Sequence, residues 1–100
     1  MRYHKLVRDR IIEIIESKGE KATWHIASDE EYELKLKEKL VEEAREFVEN
    51  GAIEEMADIF EVITALLAIN DWKIEDIIAI QKEKHAKRGG FENRVILEES

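Results

Sequence analysis

Four acidic residues near the middle of the chain have a spacing that could bind a metal ion. They form two pairs, Glu43 with Glu46 and Glu55 with Asp58, and the members of each pair are three residues apart. Residues three apart lie on one face of a helix, so each pair would present two carboxylates in one direction. A cluster of oxygen ligands without His or Cys favours a hard cation, Mg²⁺ or Mn²⁺, over zinc. Such a cation neutralises phosphate oxygens and activates a bound water, which is the chemistry of phosphoanhydride hydrolysis.

Two helices joined by a tight turn must position these acids. Residues 39–50 and 51–67 both have helical periodicity, and the Asn-Gly pair between them is typical of a helix end followed by a chain reversal. Glu43 lies as far before this turn as Asp58 lies after it. Because equal distance from the turn means equal height in an antiparallel hairpin, the four carboxylates are predicted to meet in one cluster.

The predicted helical directions place the acids among apolar residues. Glu43, for example, shares its face with Leu36 and Phe47. Burying an uncompensated carboxylate is costly, and nearby like charges add to the cost. Within the hairpin, Arg45 and Lys39 are expected to point elsewhere, so a bound cation would supply the missing charge. The alternative is that the four acids lie on an ordinary solvated helix face.

Composition limits the class of protein. One hundred residues, of which 44% are hydrophobic and 40% charged, predict a single globular domain over 1–100, of a size that often completes its core by oligomerising. The net charge of −8 argues against a nucleic-acid polymer as partner. The absence of cysteine excludes disulfide and thiolate chemistry. The basic first residues lack a following apolar run, and the apolar segment 59–69 is too short to cross a bilayer, so we expect a cytoplasmic protein without a membrane partner.

The rest of the chain is also predicted to be mainly helical, which gives an all-α bundle of about four helices. The pattern predicts helices over 6–19, 29–49, 52–70 and 74–87. Ser28 and Glu31 form a capping box at the start of the long helix. Residues 22–27 and 91–97 are candidates for one short two-stranded β element.

Basic residues are concentrated at two places in this acidic chain. Lys5 and Arg8 lie near the N-terminus, and Lys84, Lys87 and Arg88 lie on one side of the last helix, at its end. The first group could pair with acids of a neighbouring helix, and the second could stabilise the helix dipole. Either group could instead bind phosphate oxygens. A Gly-rich phosphate loop and a Ser-His-Asp or Cys-His set are absent from the sequence, so a metal-activated water is the hydrolytic route that remains.

The acidic motif and both ends of the chain resemble the MazG-like nucleoside triphosphate pyrophosphohydrolases, an all-α superfamily. EEARE at 42–46 followed by EMAD at 55–58 is similar to the EExxE…ExxD signature of that superfamily. YHKLVRDRIIEII and KEKHAKRGGFENRVIL resemble a small single-domain, house-cleaning branch. The resemblance implies cleavage between the α- and β-phosphates of a nucleotide, giving a monophosphate and pyrophosphate, by a homodimer or homotetramer. It also implies four magnesium ligands: Glu43, Glu46, Glu55 and Asp58.

The same resemblance suggests further roles and leaves two alternatives. Glu42 is the candidate for orienting the attacking water, although its helical direction lies off the core face, and the five basic residues named above are the candidate phosphate contacts. Only eight residues separate Glu46 from Glu55, fewer than in many members of the superfamily. In relatives the longer connection often helps to shape the pocket for the nucleotide base, so the short connection leaves the identity of the base open. One alternative is a phosphoribosyl-ATP pyrophosphohydrolase, which shares the carboxylate pattern. The other is a non-catalytic helical interaction module with structural acids.

Overall fold

The computed structural model describes residues 4–100, which fold into four helices. They are α1 (Ile11–Ser17), α2 (Asp29–Asn50), α3 (Ile53–Ile69) and α4 (Ile74–Arg88). The predicted all-α class is confirmed, and α2 and α3 make the one extensive helix–helix contact within this range. None of the helices in the described part combines the length and the hydropathy that a bilayer-spanning segment needs.

Local capping chemistry sets both ends of α2. The side-chain oxygen of Ser28 accepts a hydrogen bond from the Glu31 backbone N–H at 3.3 Å, as the capping box predicts. At the other end Gly51 has a left-handed φ of 64°, and its N–H donates to the Phe47 carbonyl. This C-cap reverses the chain after only two residues, so α3 packs back along α2 as the second arm of the hairpin.

Gly51→Ala is expected to lower the free energy of unfolding by about 1 kcal/mol, because an L-residue is strained in the left-handed region. Crowding plays no part, since a Cβ at this position would have no atom within 4 Å. Gly51→Asn is the matched control, because Asn tolerates this conformation better than Ala does. Urea denaturation measures both variants, and an equal loss for Asn and Ala would contradict the conformational explanation.

The apolar core inside one chain is small. Among the apolar residues of 4–100, only Leu36 on α2 and Val62 on α3 are buried. Every residue over 68–100 is exposed, which includes the whole of α4 and the C-terminal tail. The radius of gyration is 17.9 Å, whereas a compact domain of this length has about 13 Å. The helices of one chain therefore leave much apolar surface uncovered.

Two features differ from the sequence prediction. α1 begins at Ile11 rather than near residue 6, because the preceding segment runs irregularly and its cations reach α2 and α3 instead of continuing the helix. The suggested β element does not form, since neither 22–27 nor 91–97 is a strand in the described chain. Ile96 in the tail is 82% exposed, and an isolated pair of short strands without a packed face has little stability in water.

Candidate metal centre

Glu43 is the one buried charged residue among residues 4–100, with an exposed fraction of 7%. Its Oε2 has no hydrogen-bond partner in the described chain, and its Oε1 lies 3.6 Å from Lys39 Nζ. Burial raises the pKa of Glu43, and the proximity of the Glu46 carboxyl and the charge of Asp58 raise it further. Lys39 opposes these effects without cancelling them. The Glu43 carboxylate therefore lacks sufficient positive charge around it.

Three carboxylates of α2 converge at this point. One oxygen from each of Glu42, Glu43 and Glu46 lies within 4.8 Å of the other two. Magnesium takes oxygen ligands at about 2.0–2.1 Å. Side-chain rotations that move each carboxylate oxygen by about 1 Å would therefore bring the three oxygens around one ion. The buried, unpartnered Glu43 Oε2 and the all-oxygen ligand set both fit a hard cation. The sequence pattern assigns Glu42 to orienting the water rather than to the ligands, yet the i, i+4 spacing of Glu42 and Glu46 already predicts that their carboxylates lie close together.

The other two predicted ligands lie on α3. Asp58 is close enough to Glu43 to raise the pKa of that carboxyl, and its Oδ1 accepts a hydrogen bond from Arg8 Nη2 at 2.6 Å. Glu55 Oε1 accepts a hydrogen bond from Asn50 Nδ2 at 3.0 Å, and its Oε2 is buried without a partner among residues 4–100. The hairpin thus brings Asp58 to the α2 acids. That Glu55 joins them as a ligand stays a prediction.

Lysine side chains contact the outer edge of this cluster. The prediction that Lys39 points away is wrong, because its Nζ lies 3.0 Å from Glu42 Oε2 and 3.6 Å from Glu43 Oε1. Lys39 precedes these acids by three and four residues, and its long side chain bends along the helix to reach them. Lys5 Nζ lies 3.4 Å from Glu42 Oε1. The hydrogen bond from Lys39, followed by the charges of Lys39 and Lys5, lowers the pKa of Glu42.

The structure separates the two groups of predicted phosphate contacts. Lys5 and Arg8 lie at the carboxylate cluster, paired with acids of α2 and α3. The other three, Lys84, Lys87 and Arg88, lie near the end of α4, away from the α2–α3 packing within one chain. There Lys87 pairs with Glu83 one turn earlier, and cations in the last turn also suit the helix dipole.

A depression of about 420 Å³ runs along α2 beside the cluster. Its lining includes Glu42, Arg45 and Glu46, and all of its lining residues belong to α2. The volume lies in the range of small-molecule sites, about 300–1,000 Å³. Because a single helix supplies the wall, the depression is open on the side away from α2.

No family model, no curated protein and no solved structure matches this chain. The resemblance to MazG-like enzymes therefore stays a prediction from the motifs. The chemistry of the site rests on its own residues.

Proposed function

We propose that this protein is a Mg²⁺-dependent nucleotide pyrophosphohydrolase that converts a nucleoside triphosphate into the monophosphate and pyrophosphate. The observation that carries the proposal is the buried Glu43, whose Oε2 has no partner in the described chain and which lies beside Glu46 and Asp58. A buried charge without compensation destabilises a fold, so a site of this kind suits a bound cation. Mn²⁺ fits the same ligands.

The chain's own groups suit the roles that hydrolysis needs. A bound cation would neutralise phosphate oxygens and lower the pKa of a water. Glu42 lies at the solvent-exposed edge of the carboxylate cluster, with its side chain 34% exposed. Its pKa is lowered, so it is ionised at neutral pH. A carboxylate with a lowered pKa is a weak base, so Glu42 suits orienting the water by accepting a hydrogen bond rather than removing its proton. Lys5 and Arg8 pair with acids of the same cluster, which supports the proposal that they bind phosphate oxygens there.

We also propose that the active form is a homodimer, or a tetramer built from it. Ile74, Ile77 and Ile78 form an apolar face on α4 and are 47%, 38% and 40% exposed, while Phe60 on α3 is 59% exposed. One chain therefore exposes two apolar surfaces, one on α4 and one on the α2–α3 hairpin. In a dimer, the apolar surfaces of one copy would pack against those of the other. The second copy would also supply a second wall for the α2 depression.

The exposed α4 face also favours the second candidate, a helical interaction module without catalysis, because large exposed apolar patches mark binding surfaces. Calorimetric titration with Mg²⁺ separates the two functions. An enzyme of the proposed kind releases or absorbs heat that is lost in Asp58→Asn, whereas a module has no such heat.

Activity is tested with a panel that contains the standard and modified-base nucleoside triphosphates and phosphoribosyl-ATP. We expect pyrophosphate release from at least one compound with Mg²⁺ or Mn²⁺, and its loss in the presence of a chelator. Asp58→Asn is expected to lower kcat/KM by about 100-fold or more, because it removes a ligand of the cation. Glu33→Gln, which neutralises an exposed acid on α2 away from the cluster, is the control and should leave the rate unchanged.

The panel also decides between substrates. Exclusive cleavage of phosphoribosyl-ATP would assign the alternative reaction. Failure of every compound with both metals would contradict the enzymatic proposal.

A further inference from the structure

The segment before α1 joins the two helices that carry the carboxylates. Arg8 Nη2 donates to Asp58 Oδ1 on α3 at 2.6 Å, and Lys5 Nζ lies 3.4 Å from Glu42 Oε1 on α2. We call residues 5–8 the N-terminal strap. Its two cations pair with acids of the same carboxylate cluster, and one of these acids, Asp58, is a proposed metal ligand.

We propose that Arg8 is an internal counter-cation that a divalent metal ion displaces from Asp58, and that the released guanidinium then binds a phosphate group accompanying the metal. The displacement rests on the carboxylate geometry and on the proposed metal site. The second step deepens the proposed function and rests on it.

The balance of charge in the cluster gives the physical reason. With all groups ionised, four carboxylates stand against three cations, which leaves one net negative charge. A divalent ion reverses the sign and leaves one net positive charge. The field then repels Arg8 from the metal ligands and attracts an anion. The carboxylates are Glu42, Glu43, Glu46 and Asp58, and the cations are Lys5, Arg8 and Lys39.

The contact between Arg8 and Asp58 is suited to exchange. The two side chains are 56% and 41% exposed, and an exposed ion pair adds little to stability, so its loss does not threaten the fold. A guanidinium is also well shaped to bind two phosphate oxygens at once. Arg8 can therefore leave Asp58 and remain beside the site as an anion ligand.

Calorimetry on the full chain tests both steps with Arg8→Gln. The first titration uses Mg²⁺ alone, and we expect Arg8→Gln to bind it about two- to five-fold more tightly than the original chain, because a competitor is removed. The second titration adds inorganic pyrophosphate to the Mg²⁺-loaded protein, and we expect Arg8→Gln to bind it about ten-fold more weakly. Opposite changes in the two affinities distinguish an exchanging residue from one that only supports the fold.

Arg10→Gln is the matched control. Arg10 is exposed and lies two residues after Arg8, and its side chain forms no ion pair within residues 4–100. The substitution removes the same charge as Arg8→Gln. Both of its affinities should stay unchanged, and equal effects of the two variants would overturn the proposal in favour of a general charge effect. Unchanged or weaker Mg²⁺ binding in Arg8→Gln would overturn displacement, and unchanged pyrophosphate binding would overturn transfer to phosphate.

The failure of the proposed function has a different signature. Absence of Mg²⁺ binding in the original chain overturns the metal site and this proposal together. Normal Mg²⁺ exchange with no hydrolysis of any nucleotide leaves the displacement supported and overturns only the enzymatic proposal.

Discussion

Glu43→Gln is expected to abolish Mg²⁺ binding and pyrophosphate release while it stabilises the metal-free protein. Amide oxygen is a poorer ligand than carboxylate for a hard cation, and Glu43 is the one buried acid among residues 4–100, with an Oε2 that lacks a partner there. The substitution keeps the side-chain shape but removes a buried charge beside Glu46 and Asp58. Function and stability should therefore change in opposite directions.

The size of the stabilisation follows from the burial of the charge. Neutralising a buried carboxylate removes its desolvation cost and its repulsion by nearby carboxylates, and Lys39 already offsets part of that cost here. We therefore expect about 1 kcal/mol, which corresponds to a rise in Tm of about 4–8 °C for a domain of this size. Thermal unfolding followed by circular dichroism in a chelator measures it.

Glu33→Gln is the control for this experiment, because Glu33 lies on the same helix, is exposed and does not line the depression beside the cluster. It should change neither Mg²⁺ affinity nor Tm. If Glu43→Gln instead lowers the Tm of the metal-free protein, the carboxylate stabilises the fold, and the structural interpretation of the acids gains support.

The raised pKa of Glu43 also predicts how stability and Mg²⁺ affinity change with pH. The pKa of Glu43 is raised in the folded state, so the folded protein binds that proton more tightly than the unfolded chain does. As the pH falls through this raised pKa, Mg²⁺ affinity is expected to fall and the stability difference between the original chain and Glu43→Gln to shrink. The pKa of Glu42 is lowered, so its contribution is present above the ordinary value of 4.5 and is lost as the pH falls through its folded pKa.

The second large effect concerns α4. Replacing Ile77 and Ile78 together by Asp is expected to dissociate the proposed dimer, so that the sedimenting mass falls from twice 11.8 kDa to 11.8 kDa. Burying an Ile side chain stabilises by about 1.5–3 kcal/mol, so the loss of two such contacts and the burial of two charges weaken association by more than about 100-fold. The isolated chain should also unfold at a lower temperature, because its own core contains only Leu36 and Val62 among residues 4–100.

Replacing Ala79 and Ala86 together by Asp adds the same two charges on the opposite face of α4 and serves as the control. Analytical ultracentrifugation over a range of concentrations compares the three proteins. A monomeric original chain, or a double variant that stays dimeric, would contradict the assignment of this face to a second copy.

Sequence information alone determined the hairpin and its ends. The predicted long helix over 29–49 is observed as Asp29–Asn50, with Ser28 and Gly51 as the caps. Periodicity and capping depend on residues within about one helical turn, so these features can be derived from neighbours in the chain. The helical phase likewise placed Glu43 on the inner face, where the structure buries it.

Tertiary structure alone decided how the cluster is compensated and what remains uncovered. Lys39 reaches Glu43 through the conformation of a long flexible side chain, and Arg8 reaches Asp58 from 50 residues away. Asp71, with a positive φ of 55°, lies in the turn after which α4 runs without packing extensively on the hairpin. Side-chain conformation and the direction of a chain after a turn depend on contacts between distant segments. A local sequence pattern does not contain that information.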